Sequence, residues 1–293
     1  MQRVVTLFFI GFLLALFLVQ PSATYDGANF GMQLFTTKLL PYLLPYLIVS
    51  KWFMSILFQH SPVRKNFFFY CQLYLIGALG GYPSGAATIV HLAESEVISK
   101  PQANHLLGIV HAPSPIFIIG YVGAEILHSF QQALLLLVIF HVANLVLLVF
   151  SWKTFLYDSS NTSLLPSNMK KESFASSVTK SAQTMLIVGA TVIFFTAVSQ
   201  NLIQAWKTSS IPFTESMQLA IYSLFEMTAG LEVAHHMSVS IIIIIVIILW
   251  NGWSIHMQVY VLAKSMSLRV KHYLFYRIAH SMLVFVICIL FLK

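Results

Sequence analysis

The chain has 293 residues, of which 58% are hydrophobic and only 9% charged, and its mean hydropathy is +0.82. A soluble domain carries about 25% charged residues, so this composition excludes one and specifies an all-α polytopic membrane protein. Because each span takes roughly 20 apolar residues, spans fill the chain and no extramembrane catalytic domain fits beside them. The net charge of +7 comes from sixteen Lys/Arg against nine Asp/Glu. These bases lie mainly in short connections between apolar runs, which is a topology signal and not a nucleic-acid footprint. Cys71 and Cys288 sit inside apolar runs and read as buried free thiols, so neither a disulfide nor a metal site is expected. No cofactor is expected either.

In chain order, the first apolar run covers residues 4–19. It follows Arg3 and precedes Gln20-Pro21-Ser22-Ala23, a poor cleavage motif, and so reads as an uncleaved first helix with an external loop to residue 33. Apolar segments follow at 34–58, 66–92, 101–127, 130–152, 178–203, 212–236, 238–263 and 273–292. Four of them carry helix-breaking clusters: Gly80-Gly81-Tyr82-Pro83-Ser84-Gly85, His111-Ala112-Pro113-Ser114-Pro115, Glu226-Met227-Thr228-Ala229-Gly230 and Asn251-Gly252-Trp253-Ser254-Ile255-His256. The order helix, broken, broken, helix therefore occurs twice, at 34–152 and 178–293, joined by a polar cytoplasmic linker at 153–177.

Charge selects the topology. With a cytoplasmic amino terminus and one broken segment per half re-entrant, nine bases face the cytoplasm: Arg3, Arg64, Lys65, Lys153, Lys170, Lys171, Lys264, Arg269 and Lys271. Only Lys100, Lys207 and Lys293 then face out. Three crossings per half make the two halves run in opposite directions, the inverted-repeat plan of many secondary transporters.

Breaks inside a membrane survive only where protein or a water-filled cavity covers them. Where a helix restarts, its N–H groups and positive dipole end favour an anion, and Ser or Thr there adds a hydroxyl. Ser84, Ser114, Thr228 and Ser254 each lie in a break. The candidate binding residues are accordingly Gly81, Tyr82, Pro83, Ser84, Gly85, His111, Ser114, Glu226, Thr228, Gly230, Trp253, Ser254 and His256. Among them Glu226 is the carboxyl placed for a proton-linked or cation-linked step, and His111 and His256 occupy matching breaks of the two halves. Each break also has a packing reading, in which the small residues serve close helix contacts. The adjacent His235 and His236 point in different directions on a helix and do not make a metal pair.

These motifs, together with Ile98-Ser99-Lys100-Pro101-Gln102-Ala103-Asn104-His105-Leu106-Leu107, Ser114 to Gly123, and the closing Arg277-Ile278-Ala279-His280, resemble the sporulation integral membrane protein YlbJ family. That family belongs to the nucleoside-recognition or gate domain group, related to concentrative nucleoside transporters. The resemblance covers roughly residues 34–292. It implies transport of a small molecule in a spore-forming bacterium, with dipicolinate as the solute, and an altered ligand preference where this chain has His111-Ala112 and Trp253. Three classes stay open: a carrier for a small organic anion or for a nucleoside, a non-transporting scaffold of a spore-assembly complex, and an intramembrane hydrolase using Ser84 and His256. The first is the expectation, so the chain is read as a non-enzyme. Its partners are then a small carboxylate solute, the lipid bilayer and, optionally, further copies of itself.

Overall fold

The computed structural model describes residues 2–57, 66–153, 173–266 and 268–291. Arg64, Lys65, Lys170, Lys171, Lys293 and most of the expected 153–177 linker lie outside these. The described residues are helical with no strands among them, and the protein is an all-α multi-pass membrane protein. Among the described residues six helices, Phe67–Glu94 included, are long and apolar enough to cross a membrane by length and composition alone, and Arg3–Val19 is a shorter apolar helix.

Helix α1 spans Gln2–Val19. Residues 21–33, expected as an external loop, instead form α2, Pro21–Gln33, which runs through a π-helical stretch, Leu34–Leu39, into α3, Leu40–Leu57. Pro21 opens α2 because its fixed φ and missing N–H suit a first helical position. The reason the segment is held as helix is a stripe of small residues. Ala23, Gly27 and Gly31 are buried, and a methyl group on Gly27 would stand 2.7 Å from Ala197 Cα while one on Gly31 would stand 2.8 Å from Ile193 Cα. In lipid, where apolar burial gives little drive, such backbone approach is what joins helices.

The next helix, α4, covers Phe67–Glu94 and breaks at Gly81, whose φ of 77° and ψ of −175° are open to glycine alone. It does more than kink. In a straight helix Gly77 and Gly85 would lie about 12 Å apart, yet a methyl group on Gly85 would stand 3.2 Å from Gly77 Cα. The chain doubles back, so α4 is a helical hairpin with its tip at Gly81. After α5, Lys100–Ile109, the backbone leaves the helix at 110–114 and resumes as a π-helix, Phe117–Ile126, followed by α6, Phe130–Ser151.

The second half repeats this order. Helix α7 covers Phe174–Lys207. Helices α8, Glu215–Phe225, and α9, Met227–His236, meet at Glu226, which has extended φ/ψ. A methyl group on Gly230 would stand 2.7 Å from Ser223 Cα, where a straight helix would separate residues seven apart by about 10 Å. This too is a hairpin. Helices α10, Ile241–Trp250, and α11, Gly252–Leu262, are divided at Asn251 and Gly252, both at positive φ, and α12, Val270–Phe291, closes the chain. Each half is thus a span, a hairpin, a broken span and a span.

The two hairpins, Phe67–Glu94 and Glu215–His236, are the segments whose shape fits the expected re-entrant pair. A hairpin brings its two ends to one side, so Lys100, which opens α5 just after α4, stands on the side where α4 begins. The expected outward placement of Lys100 required Phe67–Glu94 to cross as one span, and the reversal at Gly81 departs from that expectation.

The chain divides into two compact units, Met1–Leu40 with Leu186–Met257, and Pro41–Met185 with Gln258–Lys293. The second holds a large apolar core of Tyr70, Leu73, Tyr74, Ile89, Leu106, Leu148 and Tyr276, among others, contributed by α4, α5, α6 and α12.

Candidate functional site

In the unit containing Pro41–Met185, the tip of the α4 hairpin rests on the break of the following span. Any side chain at Gly81 would reach Ser114, since a methyl there would stand 3.1 Å from Ser114 Cβ and 3.3 Å from its N. A methyl on Gly85 would likewise stand 3.0 Å from the Val110 carbonyl oxygen. Positive φ and close approach together explain why glycines crowd this stretch. Beside them the rings of Tyr82 and His111 lie 4.5 Å apart, and the His111 ring also meets Tyr273 edge-on at 5.5 Å. Ser114 turns its hydroxyl back to accept the Phe117 N–H at 3.3 Å, capping the helix that restarts there. Ser84 is wholly buried and its hydroxyl has no hydrogen-bond partner. Gly81, Tyr82, Gly85, His111 and Ser114 therefore meet at the break, and Pro83 and Ser84 belong to the same hairpin, with the Ser84 hydroxyl beside Gly80.

The same unit contains a functional side chain that sequence reasoning left in a motif without a role. Arg277 lies on α12 and is only 5% exposed. Its Nη1 donates to the carbonyl oxygens of His111 at 2.8 Å and Gly108 at 3.4 Å, and Nη2 donates to His280 Nδ1 at 3.1 Å. His280 passes the chain on from Nε2 to the Phe140 carbonyl at 3.1 Å, so its ring is held as the neutral tautomer protonated at Nε2. Gly108 and His111 stand at the end of α5, where carbonyls are left over and the dipole is negative. A guanidinium caps that end. The signal was in the sequence: an arginine inside a long apolar run is costly and is a functional candidate by default.

In the other unit, the tip of the second hairpin rests on the second broken span in the same way. A methyl on Gly252 would stand 2.8 Å from Met227 N and 3.1 Å from Glu226 Cα. Asn251 takes the left-handed conformation that ends α10, φ 67°, and donates from Nδ2 to the Leu249 carbonyl at 2.9 Å. Glu226 is 1% exposed, and its Oε2 accepts the Ala229 N–H at 2.6 Å, so the carboxylate caps α9. This changes what the break offers. The α9 amino end, expected to present N–H groups to an anion, is occupied by the chain's own carboxylate. Thr228 and Ser254 are buried nearby in sequence, and Gly230 serves the close contact with Ser223.

His256 and Trp253 stand differently. His256 Nε2 faces the Trp250 carbonyl at 3.0 Å, and Trp250 donates from its indole to the Leu224 carbonyl at 3.0 Å. Trp250, Trp253 and His256 form a ring cluster with centroids 6.0–6.3 Å apart, and Trp253 is 48% exposed. Among the described residues no group of His, Cys, Asp and Glu is placed to hold a metal ion.

The chain is similar to the sporulation integral membrane protein YlbJ of Bacillus subtilis (strain 168), with 22% identity over 91% of this chain and 77% of its relative. No family profile and no solved structure matches it.

Proposed function

We propose that this chain, a member of the YlbJ family of sporulation integral membrane proteins, carries a small organic anion across a membrane during spore formation, with dipicolinate as the solute. The observation that supports this reading is the device built twice: a re-entrant hairpin whose tip presses on the break of the next span, at Gly81 on Ser114 and at Gly252 on Glu226. Non-helical backbone at membrane depth is tolerated where it lines a path or a site, and hairpins and broken spans in repeated halves are a transporter plan. A helix start at such a break can supply donors and a positive dipole end, and with the α9 start taken by Glu226 that role falls to the break at 110–114. The alternation of access would come from movement of the hairpin tips, since each is joined to its neighbour by glycine contacts and not by long interdigitating side chains.

Purified protein in proteoliposomes tests this with labelled dipicolinate outside and a neutral nucleoside as comparison. Saturable dipicolinate uptake is expected. Nucleoside uptake with no response to dipicolinate would move the assignment to a nucleoside carrier, and failure to move either would favour the scaffold role. A fluorophosphonate probe that labels Ser84 would instead revive the hydrolase.

A further inference from the structure

We infer that Arg277, with the Ser84 hydroxyl, forms the seat for the negatively charged group of the transported solute. The inference rests on the anion-carrier reading and names the residues that would recognise the charge.

Arginine stays ionised at any relevant pH, and a buried guanidinium costs several kcal/mol unless it is compensated. Among the described residues no carboxylate compensates it. The charged or polarisable side chains that feel its field are Tyr273, Tyr82 and Tyr74, and all three are neutral phenols. His280, in contact with Nη2, is held in its neutral tautomer by the Phe140 carbonyl. What remains is the dipole at the end of α5, equivalent to only about half a negative charge. A net positive potential is therefore left at the break.

The donor inventory agrees. A guanidinium has five N–H groups; carbonyls of Gly108 and His111 and the His280 ring engage Nη1 and Nη2, while the buried Nε has no acceptor. Those three engaged donors hold the group still, and the two that remain, the Nε–H among them, give it something to offer. The link to the hairpin tip runs through His111, whose carbonyl takes the Arg277 bond and whose ring lies against Tyr82. Two residues on, the Ser84 hydroxyl is wholly buried and also without a partner. An orphan cationic donor held at the break and an orphan hydroxyl on the hairpin that packs against that break are what a carboxylate would satisfy.

The alternative is that Arg277 only staples α12 to the end of α5. Calorimetric titration of the full-length protein in detergent separates the two, with dipicolinate and its uncharged diamide as probes and thermal unfolding to confirm folding. Arg277→Gln should weaken dipicolinate binding about 10- to 100-fold, the range for losing a hydrogen bond to a charged group, while diamide binding changes little. Arg277→Lys, which keeps the charge, should retain a preference for dipicolinate over the diamide. Equal loss of both probes in a folded Arg277→Gln protein would assign it to stapling and overturn the inference. If Arg277→Gln does not fold, Ser84→Ala removes no internal hydrogen bond and should fold; undiminished dipicolinate binding there would overturn the shared seat. Unchanged dipicolinate binding in Arg277→Gln would reject the seat and leave the anion carrier standing. Wild-type protein that binds no carboxylate would reject both.

Discussion

Among the described residues Glu226 and Arg277 are the two buried acidic or basic side chains, and each caps a helix end of opposite sign. Their chemistry differs because a carboxyl can exchange its proton and a guanidinium cannot. Glu226→Gln keeps an oxygen to accept the Ala229 N–H and leaves the protein folded, so any pH dependence of transport that arises at Glu226 should disappear. Uptake measured across a pH series checks this, and an unchanged profile in a well-expressed variant would remove Glu226 from the coupling. Glu226→Ala removes the cap as well and should cost about 0.5–2 kcal/mol in unfolding free energy, the usual cost of an N-cap. Glu226 was legible in the sequence because it stands beside Thr228 and Gly230 inside an apolar segment. Its role as a cap was not, since a carboxylate that satisfies its own backbone and one that awaits a solute look alike until the Ala229 N–H is located.

The four breaks were legible from Gly, Pro and Asn clusters, because those residues either permit positive φ or forbid the helical hydrogen bond. What the sequence could not separate was a kink from a reversal. Gly81 and Gly252 both have positive φ, yet the first turns α4 back on itself and the second leaves α10 and α11 as a broken span; the difference lies in whether Gly77 meets Gly85, a tertiary contact. The α2 stripe was missed for a related reason: Ala23, Gly27 and Gly31 are unremarkable among polar neighbours until the 193–200 stretch of α7 is set against them. The glycines are consequently not equivalent. Gly81→Ala should lower stability by about 1–3 kcal/mol, the cost of a non-glycine residue in that backbone region, before any adjustment at Ser114. Gly27→Val should disrupt the contact of α2 with Ala197 and lower the melting temperature in detergent. Gly11→Ala is the control, because nothing lies within 4 Å of a methyl there and alanine is favoured by about 1 kcal/mol in a helix. A Gly81→Ala protein as stable as Gly11→Ala would contradict the strained tip.

At the scale of the molecule, the hairpins predict which segments cross. With a cytoplasmic amino terminus, a traversing Phe67–Glu94 would put Lys100 outside, whereas a returning hairpin predicts Lys100 on the cytoplasmic side together with the 153–177 linker, and Lys207 outside. The positive-inside rule counts bases close to the ends of spans, and it favours this arrangement, since the only cytoplasmic assignment that changes is one added lysine. Single cysteines test it after Cys71 and Cys288 are replaced. With a membrane-impermeant maleimide applied to intact cells, Lys207→Cys should react, whereas Ser160→Cys and Lys100→Cys should react only after the membrane is opened. Reaction of Ser160→Cys from outside would invert the whole chain. Reaction of Lys100→Cys alone from outside would leave the overall orientation intact but require the α4 hairpin to open into a span, taking the Gly81 tip away from Ser114 and the anion seat with it.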